Sequence, residues 1–367
     1  MRLRRDIPVI LLAALLSFAG LPALAGPYLL LDVGSGRVLE HEDAFERWYP
    51  ASLTKLMTAY VVFRALEAGE VKLDSPVRIS KNAASEPPSK MGYSPGAELT
   101  LDNGLKIIMV ISANDVATAL AETVGGTEEG FVARMNAEAQ RLGMTDSHFV
   151  NAHGLPGPSQ YTTARDLGVL VRALRTEFPQ YASYFAIEAL KYGKSVKENT
   201  NFLIGRFEGA DGMKTGYICA SGFNLVATAT RGGRTLAAVV LGAQSQVQRA
   251  ELAAELLTRG FAEAGLDKPT LASIQPAEAT VQTVSDIRDE ICSPEAVAQR
   301  SKQRDDQGRL VTTSSYVKPM DREPKLVAVG LSSTAAEKAA KSRYANVPIP
   351  TPRPPYPPEQ VPAAQGG

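Results

Sequence analysis

Two strand-hairpin patterns stand at opposite ends of the body of this chain, and they restrict its fold more than any other feature. Near the start, Tyr28-Leu29-Leu30-Leu31-Asp32-Val33 leads through Gly34-Ser35-Gly36 into Arg37-Val38-Leu39-Glu40. Far along the chain, Asn224–Thr230 and Thr235–Ala243 are apolar, β-branched runs joined by Arg231-Gly232-Gly233-Arg234. Apolar runs flanking a glycine-rich turn read as hairpins. The sequence between them is helical in pattern. From about Ser52, Leu53, Leu56, Met57, Tyr60 and Val61 recur at one-face spacing,. Helices are also expected over Ala113–Val124, Phe131–Leu142 and Ala164–Glu177. A closing helix, Val247 to Glu263, puts Ala253, Leu256, Leu257, Gly260, Phe261 and Ala264 on one face. Strands need partners, so this order predicts an α/β sandwich in which strands from both ends of the body share one sheet.

The body runs from Gly26 to about residue 266, and both flanks differ from it. Met1-Arg2-Leu3-Arg4-Arg5 precedes an apolar run from Ile7 to Leu24 and the sequence Ala23-Leu24-Ala25. A basic start, a short apolar stretch and an A-x-A site describe a secretory signal over residues 1–25. An uncleaved anchor is the alternative, and Pro22 with its small neighbours favours cleavage. The chain is therefore expected to be exported, soluble or peripherally membrane-associated. In an oxidising compartment Cys219 and Cys292 form an even pair, which predicts one disulfide; two unpaired small hydrophobes are the alternative. Residues 267–347 have weak periodicity and are expected to be mostly disordered or weakly structured, with strand-like pieces near Ala272–Thr283 and Lys325–Gly330. Residues 348–367 begin with Pro-Ile-Pro-Thr-Pro-Arg-Pro-Pro-Tyr-Pro-Pro after Val347. Such a run reads as an extended tail, either a ligand for a groove on a partner protein or a passive spacer.

Composition excludes some functions. With 39 Lys+Arg against 39 Asp+Glu there is no basic surplus for nucleic acid,. Two cysteines and three histidines are too few for a zinc cluster,. No metal or cofactor is expected.

Three short motifs carry the chemistry. Ser52-Leu53-Thr54-Lys55 opens the first long helix, and a spacing of three stacks the lysine amine over the serine hydroxyl,. Ser112-Ala113-Asn114 lies at a junction between helices, where capping alone would account for it,. Lys214-Thr215-Gly216 precedes the late hairpin on an expected edge strand, where Lys and a hydroxyl can hold a carboxylate,. Each motif is cheap alone; their order, spacing and element types together are specific.

At this point the sequence resembles the serine D-alanyl-D-alanine carboxypeptidases, the low-molecular-mass penicillin-binding proteins, whose superfamily shares such motifs with β-lactamases. The resemblance also covers Pro50 to Thr58, Phe149-Val150-Asn151-Ala152-His153-Gly154-Leu155, Thr163 to Asp166, Asp211 to Tyr217 and Gly222 to Ala227. It implies a three-layer sandwich: an antiparallel sheet of N- and C-terminal strands, helices on both faces, and an all-helical subdomain. It implies removal of the terminal D-alanine from peptidoglycan stem peptides ending in D-Ala-D-Ala, with β-lactams as covalent inhibitors. Many members add a β-rich second domain and an amphipathic C-terminal anchor; neither pattern is read here.

The resemblance also assigns roles. Ser52 would be the nucleophile, Lys55 its base and Ser112 a proton relay. Asn114 would bond the substrate peptide group, and Lys214 and Thr215 its terminal carboxylate. Arg249 matches a family arginine that contacts the same carboxylate, against the alternative of a solvated cation at a helix start. The backbone N–H groups of Ser52 and Tyr217 would form the oxyanion hole. A Ser-His-Asp triad through His153 and Asp166 is rejected, because Lys55 already supplies the base; loop support is the expected role of both. A class A β-lactamase needs an E-x-x-x-N arrangement between the second and third motifs, and no glutamate there has an asparagine four positions later. A silent penicillin-binding scaffold acting through its tail is the remaining alternative, and the intact motif residues argue against it.

Overall fold

The computed structural model describes residues 26–277 and 283–332. The signal pattern over 1–25 and the Pro-rich tail over 348–367 lie outside the described residues. The two hairpins do meet. β1 (Tyr28–Asp32) and β2 (Val38–Glu42) form the first. After it, a 3-10 turn over Ala51–Leu53 leads into α1 (Thr54–Glu67). A small antiparallel pair, β3 (Pro76–Arg78) with β4 (Glu98–Thr100), encloses α2 (Lys81–Ser85). Then come α3 (Leu101–Val110), α4 (Asn114–Gly125), α5 (Glu128–Leu142) and α6 (Ala164–Glu177). β5 (Ala189–Tyr192) and β6 (Ser195–Glu198) make a short hairpin beyond them. The chain returns through β7 (Ala210–Ile218), β8 (Gly222–Arg231) and β9 (Arg234–Ala243) to α7 (Gln246–Ala262). The main sheet has the order β2-β1-β9-β8-β7, all antiparallel, and Leu30 faces Ala238 where the two ends of the body join.

Alternation along the strands builds the three layers. Leu29, Leu31, Val226, Ala237, Val239 and Leu241 point into one core with α1 and α6. Tyr28, Leu30, Leu225, Ala227, Ala238 and Val240 point into the other, against Ala253, Ala254 and Leu257 of α7. A strand covered on both faces reads as an unbroken apolar run, which is why these segments carry so few polar residues. α1 is the central helix: eleven of its 14 residues are buried, and only its last turn, with Arg64 and Glu67, meets solvent,. Its far side packs against α3, α4 and α5, the all-helical subdomain.

The described part of residues 267–347 lies in the segment expected to be weakly structured. Regular structure is sparse, limited to α8 (Arg288–Ile291), α9 (Pro294–Ser301) and β10 (Leu326–Ala328). The segment is nevertheless laid against the body. Ile291 and Val317 are buried in the α7-side core, Arg322 makes a two-pronged ion pair with Glu188, and β10 adds in parallel to β5. Elements of three to eight residues are too short to leave a periodic signature,. The strand-like piece near Lys325–Gly330 matches β10. The described part of Ala272–Thr283 forms turns instead. Cys219 and Cys292 are disulfide-bonded, with Cα atoms 5.6 Å apart, and fasten α8 and α9 to the end of β7. Among the described residues no helix is long and apolar enough to cross a membrane.

The cross-link joins residues 73 positions apart. Its loss should lower unfolding stability by about 3 to 4.5 kcal/mol through the regained entropy of the unfolded chain. Urea unfolding of a Cys219→Ser/Cys292→Ser variant tests this, and a midpoint equal to that of the wild type would contradict it.

Candidate active site

The site gathers where the sheet, the helical subdomain and the loop after α5 meet. Ser52 sits in the 3-10 turn just before α1, and Lys55 lies one turn further on. The spacing of three brings the Lys55 Nζ to 3.2 Å from the Ser52 Oγ. Two contacts fix that turn. Ala51 has φ +47°, a left-handed conformation costing roughly 1–2 kcal/mol for an alanine. Around it, Gly154 and Gly216 press their backbones so close that a Cβ on Gly154 would lie 1.9 Å from the Ala51 carbonyl oxygen. One on Gly216 would lie 2.8 Å from that of Pro50. The strained turn is held by packing from both sides, as strain at working sites generally is.

Lys55 is fully buried. Its Nζ also reaches the Asn114 Oδ1 at 2.7 Å and the His153 carbonyl oxygen at 2.6 Å. The Asn114 Nδ2 donates to the Pro87 carbonyl at 3.0 Å, which sets the amide orientation. Burial, and then the nearby Lys214 cation, hold the Lys55 pKa well below its ordinary value; Glu86 and Asp115 only partly oppose this. A neutral amine has two N–H groups and one lone pair. The Asn114 and His153 oxygens can only accept, so they take both hydrogens and leave the lone pair for the Ser52 hydroxyl. Proton abstraction from Ser52 is what this geometry can do.

The second and third motifs meet across the cleft. Ser112, with φ +65°, accepts from the Lys214 Nζ at 3.0 Å, and the same amine donates to the Thr215 carbonyl at 2.9 Å. A third hydrogen of the cation stays available. Burial and Arg249 push the Lys214 pKa down to about 7. The Thr215 Oγ1 pairs with the Thr200 Oγ1 at 2.8 Å. Arg249 is not a solvated cation: it is buried, and its guanidinium donates to the backbone carbonyls of Gly216, Asn224 and Thr200. Burial lowers its pKa without bringing it near neutrality. Tyr217 is exposed and stacks on Phe223 at 4.2 Å between centroids. Ser52, Ser112, Thr215, Tyr217 and Arg249 all line one cavity of about 500 Å³.

His153 and Asp166 stay apart. The His153 Nδ1 accepts from the Leu155 N–H, and its Nε2 faces Glu86 at 3.4 Å. Asp166 accepts from Ser147, the Asp146 N–H and Arg165. Both brace loops. The ligand atoms of Glu86, Glu128 and His153 lie within 4.8 Å of one another, a set that could hold a metal ion. Glu86 accepts from Thr118 and Glu128 from the Ala152 N–H, so these groups already serve the scaffold. Sequence reasoning missed that the Asn114 Oδ1 and the His153 carbonyl hold Lys55. It also missed Ser89, Thr200 and the contribution of α9 to the cavity wall. No local pattern marks any of these, because each is a contact between distant segments.

Residues 21–245 match the D-alanyl-D-alanine carboxypeptidase family, Peptidase_S11. Among curated relatives, the chain is 39% identical over 244 residues to the D-alanyl-D-alanine carboxypeptidase DacC of Escherichia coli, covering 65% of this chain and 61% of that one. It thus spans about three fifths of that relative's length. Among solved structures it resembles the D-alanyl-D-alanine carboxypeptidase DacD from Francisella tularensis. That match has a TM-score of 0.64 at 30% identity and covers 71% of this chain and 74% of that one. It also resembles penicillin-binding protein D2 from Listeria monocytogenes in its cefotaxime-bound form, with a TM-score of 0.59 at 28% identity, covering 65% and 97%.

If Lys55 is the neutral amine, Cε chemical shifts of isotopically labelled lysine will report it uncharged at pH 7, and a Lys214→Ala substitution will raise its titration point by removing the neighbouring cation. A Lys55 resonance titrating like that of a free lysine would rule the assignment out.

Proposed function

This chain belongs to the D-alanyl-D-alanine carboxypeptidase family, and on that premise we propose that it removes the terminal D-alanine from peptidoglycan stem peptides. The observation that carries the reading is the Lys55 amine, buried, its pKa held well below the ordinary lysine value by burial and Lys214, and placed 3.2 Å from the Ser52 Oγ. Ser52 attacks the carbonyl of the D-Ala-D-Ala bond while its proton passes to Lys55. The backbone N–H groups of Ser52 and Tyr217 hold the oxyanion, each donor worth about 3 kcal/mol in the transition state. Ser112, bonded to Lys214, relays the proton to the departing amine, and the C–N bond breaks as the acyl-enzyme forms. Water, deprotonated by the same lysine, then releases the shortened peptide.

Lys214 and Thr215 take the terminal carboxylate, which makes the reaction an exopeptidase cleavage. Arg249 adds its charge from behind and fixes Gly216 by its bond to that carbonyl. Asn114 keeps one Nδ2 hydrogen for the substrate peptide group. β-Lactams acylate Ser52 by the same route. A β-lactamase reading is less well supported, because no Asp or Glu lines the cavity to activate a deacylating water. A periplasmic setting is supported by the signal pattern and by the Cys219–Cys292 disulfide, which reducing compartments do not keep,.

Incubation with a peptide ending in D-Ala-D-Ala should release D-alanine, and labelled penicillin should mark Ser52. Ser52→Ala should abolish labelling and lower turnover by roughly four to six orders of magnitude. An active, labelled Ser52→Ala protein would sink the proposal. The profile of kcat/KM against pH should also fall as pH rises past about 7, where Lys214 loses its charge,. That alkaline limb should vanish in Lys214→Ala; an unmoved limb would assign it to another group.

A further inference from the structure

The cavity beside Ser52 has a wall that lies beyond the family match. The match ends at residue 245, yet Val297, Arg300, Arg304 and Leu310 line the cavity together with Ser52, Thr215 and Arg249. They come from α9 and the turn after it. This wall is anchored to the site. Cys292, just before α9, is bonded to Cys219, just after β7. The Arg304 guanidinium donates to the Gln246 Oε1 at 3.0 Å and the Gly308 carbonyl at 2.6 Å. Arg300 reaches the Gln244 carbonyl at 3.4 Å and lies over the Phe223 ring at 5.3 Å. Arg249 lies over the same ring at 5.7 Å, so one side chain links the two cations.

Charge then decides what the wall is for. The cavity lining contains three arginines and no carboxylate. Every hydrogen bond recorded for Lys214, Arg249, Arg300 and Arg304 goes to a neutral oxygen. Unneutralised cations around a concave site attract anions. On the peptidase reading above, on which this inference rests, a terminal carboxylate takes Lys214 and Thr215. Arg300 and Arg304 are left without an anion.

We propose that α9 and the following turn form a second anion subsite beside the terminal-carboxylate anchor, which receives a further carboxylate on the residue that leaves. The substrate class is a peptide whose last residue is an acidic D-amino acid. Arg300 and Arg304 are specificity residues: they touch the leaving residue and take no part in proton transfer.

The test uses the full-length protein and two peptides of common sequence, one ending in D-Ala-D-Ala and the other in D-Ala-D-Glu. An Arg300→Gln/Arg304→Gln variant should raise KM for the acidic peptide about ten-fold, leaving its kcat and both constants for the neutral peptide within about two-fold. A Cys292→Ser variant, which frees α9, should lose the same discrimination. Equal losses on both peptides, no loss on either, or failure of the wild type to cleave the acidic peptide would each overturn the subsite. Labelled penicillin separates the two readings. A wild-type protein that is not acylated overturns the peptidase assignment itself, whereas normal acylation without discrimination overturns the subsite alone.

Discussion

The Lys55 side chain lies wholly inside the protein, with its amine shared among a serine hydroxyl, an amide oxygen and a main-chain carbonyl. A buried amine with imperfect partners would be costly, so everything that supplies those partners has to be held in place. Those partners come from the turn before α1, the start of α4 and the loop after α5, and each is fixed in turn. Asn114 is tied to Pro87 through its side chain and to Ser89 through its main-chain N–H. Next to it, Asp115 accepts from the N–H groups of Met91 and Gly92. The His153 loop is pressed onto Ala51 by Gly154 and pinned by Asn151, which accepts from the Gly154 N–H. The junction between the sheet and the helical subdomain is thus organised around one nitrogen atom.

That arrangement has a thermodynamic sign. The Lys55 and Lys214 pKa values both lie below their ordinary lysine range in the folded protein. The unfolded chain therefore binds more protons at neutral pH, and the two amines oppose folding there. Their opposition weakens as pH rises toward the ordinary lysine value. The fold carries that cost because the charges are coupled: Arg249 lowers Lys214, and Lys214 lowers Lys55. A carboxylate arriving at Lys214 would stabilise its cation by direct charge pairing.

Much of this was legible in the sequence where local physics decides. α6 runs over Ala164–Glu177 as its periodicity indicates, because Thr163 caps it and its apolar stripe faces the core,. The hairpins follow from β-branched runs and glycine turns. α5 starts at Glu128 rather than Phe131, since its first turn is polar and fixed by the Thr127 cap instead of by core contacts. The helix expected before Ser112 was given no bounds, and it is α3. It opens Leu101-Asp102-Asn103-Gly104, which reads as a turn, and a Cβ on Gly104 would approach the Leu120 side chain of α4 to 3.0 Å, a close helix contact that glycine eases. Ser52 and Lys55 could be paired from their spacing, but the lowered pKa of the lysine could not be read there. It depends on partners 59 and 98 positions away.

The C-terminal segment shows the same limit and bears on how the cleft is used. β7 forms one edge of the main sheet, so its free edge can receive an extended peptide along Lys214-Thr215-Gly216,. A free edge alone sets little preference beyond the peptide backbone. Attaching α9 just past the end of β7, through Cys219, adds side chains to one end of that edge while leaving its length open. That end shares one cavity with Ser52, Thr215 and Arg249, and under the subsite proposed above the added wall meets the departing residue. On that proposal, a short, weakly periodic segment outside the family match selects the leaving residue without touching the groups that move protons.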